Sequence, residues 1–133
     1  MQCARAGGVM AEEQNLGELT LVTDEGDDVI TVAWLGRSTT SAPGDVLTPA
    51  LLEAADRAAR KKKRLIFAFE QLEFFNSATI TVLLRTVRSL HGRHVSLTLR
   101  YDDAKRWQRT FFDAFSGAGL DDYDDVTIEA KRS

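Results

Sequence analysis

The five residues Leu65-Ile66-Phe67-Ala68-Phe69 constrain the fold more than any other feature of the chain. They form an unbroken apolar run between a cationic stretch, Arg60 to Arg64, and the mixed stretch Glu70 to Ser77. A run this short and continuous fits a central strand covered on both faces, as parallel sheets require. Parallel neighbours need crossover connections, usually helices. The flanking sequence supplies them. Before the run, Leu47, Leu51, Ala54, Ala55 and Ala58 recur at helical spacing, predicting a helix from about Asp45 to Lys62. Pro49 belongs in a first turn, which would move the start to Thr48 as N-cap. After the run, Phe74-Phe75-Asn76-Ser77 reads as a turn. A second helix follows from Ala78 to His91, its stripe made of Ile80, Leu83, Leu84, Val87 and His91, with Gly92 as the stop.

The remaining elements complete the alternation. Leu19 to Val22 and Val29 to Leu35 read as strands joined by the turn Asp24 to Asp28, an antiparallel hairpin. Gly36 to Gly44 is a Ser/Thr-rich loop. Val95 to Tyr101 alternates as a strand. A third helix spans about Ala104 to Ser116, with Trp107, Phe111 and Phe115 four apart and Gly117 and Gly119 after it. Val126, Ile128 and Ala130 mark a short last strand. The expected class is α/β, with order ββαβαβαβ. The sheet is mixed and mostly parallel, of about five strands, with an N-terminal hairpin and three helices. Residues 1–17 read as a disordered or weakly ordered tail and 18–133 as a single domain. Met10, before Ala11-Glu12-Glu13, is a candidate translation start.

The 133 residues carry 44% hydrophobic and 28% charged residues, which suits one soluble domain with one core. The net charge of −3 does not favour nucleic acid. No stretch approaches the length of a membrane-spanning helix, and Met1 to Met10 holds no signal-peptide core. With a lone cysteine, Cys3, nothing calls for an oxidising compartment, and a cytoplasmic protein is expected.

Groups that would carry catalysis are sparse. His91 and His94 have no cysteine partner with which to build a metal site and read as helix-end residues. Asp121-Asp122-Tyr123-Asp124-Asp125 offers oxygen ligands but lacks the glycine and closing glutamate of an EF-hand loop, and reads as a solvated connection. Arg60-Lys61-Lys62-Lys63-Arg64 lacks interleaved aromatics for stacking on bases and reads as a solvated helix end. There is no glycine-rich phosphate loop. No metal, cofactor or catalytic residue is expected, and the chain reads as non-enzymatic.

The turn into the second helix stands apart. Asn76 or Ser77 is a natural N-cap, accepting from free N–H groups of the first turn. A hydroxyl in that place also lies where a phosphate finds N–H donors and a favourable dipole.

The apolar strand, then Leu72-Glu73-Phe74-Phe75-Asn76-Ser77, then a helix carrying Leu83-Leu84, resembles the STAS domain, which includes the anti-sigma-factor antagonists. Two aromatics before Asn76-Ser77 resemble the SiaC-type regulatory phosphoproteins, a STAS-like branch, more closely. The resemblance runs from about Leu19 to Ala130. It implies partner switching by Ser/Thr phosphorylation. In the SiaC-type branch the acceptor is the hydroxyl directly after Asn, here Ser77. In the antagonists it is the second hydroxyl of the motif, where this chain has Ala78. Thr79 replaces the usual glycine and is a second candidate acceptor. The implied partners are a Ser/Thr kinase, a PP2C-type phosphatase and a downstream regulator, either a sigma-factor inhibitor or a signalling enzyme. The expected interaction surface comprises Asn76, Ser77, Ala78, Arg85 and Arg88 with Ser38, Thr39 and Thr40 of the preceding loop. Two other readings use the same fold. One is a small-ligand or anion-binding module at the helix N-terminus. The other is a structural subunit, which predicts exposure of Trp107, Phe111 or Phe115.

Overall fold

A computed structural model describes residues 10–90, 93, 95–117 and 125–131 of the protein. The chain opens with three antiparallel strands, β1 (Met10–Leu16), β2 (Leu19–Glu25) and β3 (Val29–Ser38). It continues through α1 (Gly44–Lys61), β4 (Arg64–Ala68), β5 (Leu72–Phe75), α2 (Ser77–Leu90), β6 (Leu97–Asp102), α3 (Arg106–Gly117) and β7 (Val126–Lys131). The seven strands make one sheet in the order β1-β2-β3-β4-β6-β7, with β5 beside the far end of β3. The β3–β4, β3–β5, β4–β6 and β6–β7 pairs are parallel. The mixed, mostly parallel α/β sheet expected from the sequence is therefore the one observed, with an antiparallel N-terminal portion.

Three boundaries differ from expectation. Residues 10–16 are a strand, not tail. Their run of Glu, Gln and Asn gives no apolar period, because an outer strand with exposed side chains needs none. The two-residue turn Gly17-Glu18, with Gly17 at φ 75°, closes the β1–β2 hairpin, and a glycine first in such a turn is favoured. Residues 72–75 are a strand, not part of a turn, because β3 runs past Gly36 and offers them an edge. Helix α1 begins at Gly44, after Pro43, and not at Thr48. Pro49 lies inside it and forgoes its bond to the Asp45 carbonyl, at a turn where both residues face solvent.

Register explains the layers. Ile30, Val32 and Trp34 of β3 share a face with Leu65 and Phe67 of β4 and Leu97 and Leu99 of β6. All three helices pack on that face, against one continuous core. The α1 residues expected to be buried, from Leu47 to Ala58, are all buried. Aromatic rings fill the end nearest the β4–β5 connection. Phe69 lies 4.9 Å from Trp34 and 5.3 Å from Phe112, and Phe112 stacks on Tyr101 at 4.9 Å. The opposite face carries Thr31, Ile66 and Thr98 in one row and Ala33, Ala68 and Arg100 in the next. No described helix covers it. The run 65–69 therefore reads as unbroken without helices on both faces. Its second-face residues Ile66 and Ala68 are screened within the central strand by neighbouring strands.

The cationic run after α1 does more than solvate a helix end. Lys62 adopts φ 57° and its N–H and that of Lys63 close the helix onto Ala59 and Ala58 carbonyls. Lys61 and Lys63 both donate to Glu25 Oε2 at 2.7 Å, and Arg57 approaches the same carboxylate at 3.8 Å. The two lysine hydrogen bonds hold the Glu25 carboxyl down at about 2. This cluster ties the end of the β2 strand to the end of α1.

Candidate functional site

The motif Phe74-Phe75-Asn76-Ser77 lies where β5 hands over to α2. Phe75 is buried and sets the position. Its ring lies 4.9 Å from Phe111 and 5.3 Å from Trp107, both edge-on, on α3. Trp107 and Phe111 thus cover Phe75 and are only half exposed, and Phe115 is buried, so the exposed aromatic face expected of a structural subunit is not found. Phe74 points the other way. It is 40% exposed, and the Arg37 guanidinium sits 5.2 Å from its ring centroid. The exposure of Phe74 is not foretold by the residues; it follows from the alternation of β5, which buries Phe75 beside Ser38 and turns Phe74 outward beside Arg37.

Asn76 is the N-cap. Its Oδ1 accepts from the Thr79 N–H at 3.0 Å and from the Thr79 hydroxyl at 2.9 Å. Its Nδ2 donates to the Thr40 carbonyl at 2.9 Å, and its own N–H donates to the Ser38 carbonyl at 3.0 Å. Ser38 and Thr79 hydroxyls lie 2.6 Å apart. A hydroxyl has one proton, and that of Thr79 is spent on Asn76, so Ser38 donates to Thr79. The order of donation is Ser38 to Thr79 to Asn76, and Asn76 passes the link on to Thr40. Loop 39–43 and the start of α2 are thereby one bonded unit.

The residues expected at the surface divide accordingly. Ser77 is exposed and begins α2, with Ala78 half-buried beside it. Thr39 and Thr40 are exposed, and the Thr39 hydroxyl donates to Glu18 at 3.4 Å. Thr81, Arg85 and Arg88 follow Ser77 at four, eight and eleven residues, all exposed, making one outward stripe. Ser38 and Thr79 are not on the surface. They are 3% and 0% exposed, because their hydroxyls satisfy each other inside the joint. The buried stripe of α2 is also rotated from expectation. It consists of Thr79, Val82, Leu83, Thr86, Val87 and Leu90, with Ile80 and Leu84 at its margin. Thr86 is admitted because its hydroxyl donates to the Val82 carbonyl at 2.8 Å.

One positioning residue escaped the sequence reading. Gln108 of α3, 0% exposed, donates to the Phe69 carbonyl at 2.6 Å and the Leu72 carbonyl at 3.1 Å, and accepts from the Asp102 N–H at 2.8 Å. It holds the β4–β5 connection in the bend that delivers the motif. A lone glutamine in an aromatic helix is the only trace of this in the sequence.

Among solved structures, the chain is similar to an anti-sigma factor antagonist from Mycobacterium paratuberculosis. The two are 14% identical over 94% of this chain and 90% of that one, with a TM-score of 0.47. No family model matches the chain, and no curated protein does.

Among the described residues, no group of three or more His, Cys, Asp or Glu is arranged to hold a metal ion. His91, His94 and Asp121 to Asp124 lie outside them. No described helix is long and apolar enough to cross a membrane. What the site does present is one accessible primary hydroxyl at the first position of a capped helix, framed by a loop bonded to the same cap.

Proposed function

We propose that this protein is a non-catalytic, STAS-like regulatory protein whose partner binding is switched by phosphorylation of Ser77. The observation that carries the reading is the contrast at the motif: Ser77 is exposed, whereas the neighbouring candidate Thr79 is sealed inside the fold. A kinase needs an accessible hydroxyl, so Thr79 could serve only after local opening. Ser77 also begins a helix, where first-turn N–H groups lack intrahelical partners and the dipole favours an anion. Phosphate there adds close to two negative charges. A partner that packs against the bare hydroxyl, Thr81 and loop 39–43 would then be expelled. The partners on this reading are a Ser/Thr kinase, a PP2C-type phosphatase and a downstream regulator, which is a sigma-factor inhibitor or a signalling enzyme.

The test is intact-mass and peptide mapping of protein from its native host, with and without phosphatase. A phosphate on Ser77 is expected. The Ser77→Ala protein is expected to retain a pull-down partner that Ser77→Asp loses. Absence of phosphate under all growth conditions and after incubation with the host's Ser/Thr kinases would refute the switch.

A further inference from the structure

We propose that the free edge of β1 and the adjoining flank of α1 form a docking groove for an extended, basic segment of a partner protein, which joins the sheet as an additional strand. This surface adjoins the Ser77 site at loop 39–43, whose Thr40, Ser41 and Ala42 line one end of it, but the inference does not depend on phosphorylation of Ser77.

The first argument is the edge itself. Among the described residues, β1 ends the sheet and pairs only with β2, so no described strand faces its outer N–H and C=O groups. Such edges template strand addition. Seven residues span about 24 Å. The second argument is shape. Two open depressions of about 550 and 520 Å³ lie along this side and share Asp45 and Val46. The first adds Gln14 and Glu53, and the second adds Leu16. Val46 is 44% exposed, so an apolar side chain stands in solvent where the two depressions meet.

Charge selects the occupant. Both charged residues lining the depressions, Asp45 and Glu53, are acidic, and β1 contributes Glu12 and Glu13. The nearest cation at this side, Arg57, already faces Glu12 at 3.6 Å, Glu25 at 3.8 Å and Glu53 at 4.0 Å. A second copy of the chain is disfavoured. Two β1 strands paired antiparallel about Glu13 would set Glu13 against itself, and like charges directly opposite are destabilising. A basic strand reverses that sign. Strand alternation sets the pattern further. Glu12 and Gln14 face the α1 side, since they line a cleft with Ala50, Glu53 and Arg57. Every second residue of the added strand therefore meets Val46, Asp45 or Glu53, and suits an aliphatic or a basic side chain.

The test is an NMR titration of the ¹⁵N-labelled full chain with three blocked hexapeptides: alternating Lys-Val, alternating Glu-Val, and Lys-Val with alternate backbone nitrogens methylated. For Lys-Val, saturable shifts are expected at the amides of residues 12–17 and 45–50. Binding should be at least tenfold weaker for the other two peptides and for the Glu53→Lys and Val46→Lys proteins. The Ser77→Asp protein should bind as the unmodified chain does. Shifts centred elsewhere would overturn the proposal. So would equal binding of the methylated peptide, since attraction would then need no strand pairing, or no saturable binding up to about 1 mM.

Discussion

Thr79→Val isolates the buried hydroxyl chain with little change in shape. Valine keeps the β-branched form, so the core of α2 stays filled. What goes is one oxygen that accepts from Ser38 at 2.6 Å and donates to Asn76 at 2.9 Å. Ser38 is then left with a buried donor and no acceptor in the joint, costing about 1–3 kcal/mol. The lost bond to Asn76 adds about 1 kcal/mol, softened because Asn76 still accepts from the Thr79 N–H. The expected loss is about 2–3 kcal/mol, read as a lower urea midpoint at unchanged m-value. Ser38→Ala removes the donor and leaves the Thr79–Asn76 bond, so it should cost about 1 kcal/mol. In the double variant no donor is stranded, and its loss should fall short of the sum by about 1 kcal/mol or more. Strict additivity, or a Thr79→Val protein within about 0.5 kcal/mol of the parent, would refute the hydroxyl chain. The folded Thr79→Val protein should still be phosphorylated on Ser77.

Three other outcomes follow from the packing. Glu25 has its carboxyl lowered from 4.5 to about 2, so its contribution to stability is complete above pH 4.5 and disappears as pH falls towards 2. In Glu25→Gln the acid limb of a stability–pH curve should be shallower by about 1 kcal/mol, the shift being discounted for solvent screening. Gly36 sits at φ 90°, and a Cβ there would collide with the Glu18 carbonyl oxygen. Gly36→Ala should cost more than about 2 kcal/mol in chemical denaturation, from strain and from parting of the β2–β3 ladder. Gln108→Leu removes the side-chain donor to the Phe69 and Leu72 carbonyls and the acceptor of the Asp102 N–H; the Phe69 carbonyl keeps the Leu72 N–H at 3.0 Å, and the expected loss of stability is about 2 kcal/mol. Hydrogen exchange in that variant should rise first at residues 69–77.

The fold was readable wherever burial follows the apolar letters. The stripe from Leu47 to Ala58 is such a place, since its side chains alone dictate which face is dry; the run at 65–69 marks the central strand but not which of its faces the helices cover. It was unreadable where burial is polar or the partner is distant. The α2 stripe came out rotated because Thr79 and Thr86 are buried by virtue of hydrogen bonds, which apolar periodicity does not register. β5 exists only because β3 outruns Gly36, a fact about another segment. β1 has no inward-facing hydrophobic pattern to find. At the site, the helix cap at Asn76 was legible from local chemistry. The split between an open Ser77 and a closed Thr79 was not, for it depends on Ser38, 41 residues away in sequence.

The position of the two tryptophans gives the molecule its own optical probes. Trp34 is fully buried among Phe67 and Phe69, so its emission should be blue-shifted and should redden only on global unfolding. Trp107 touches Phe75, the residue before Asn76, and is partly open to solvent. A protein carrying Trp34→Phe would therefore fluoresce from the doorstep of the motif alone. Events at Ser77 could be followed in real time, with no attached dye.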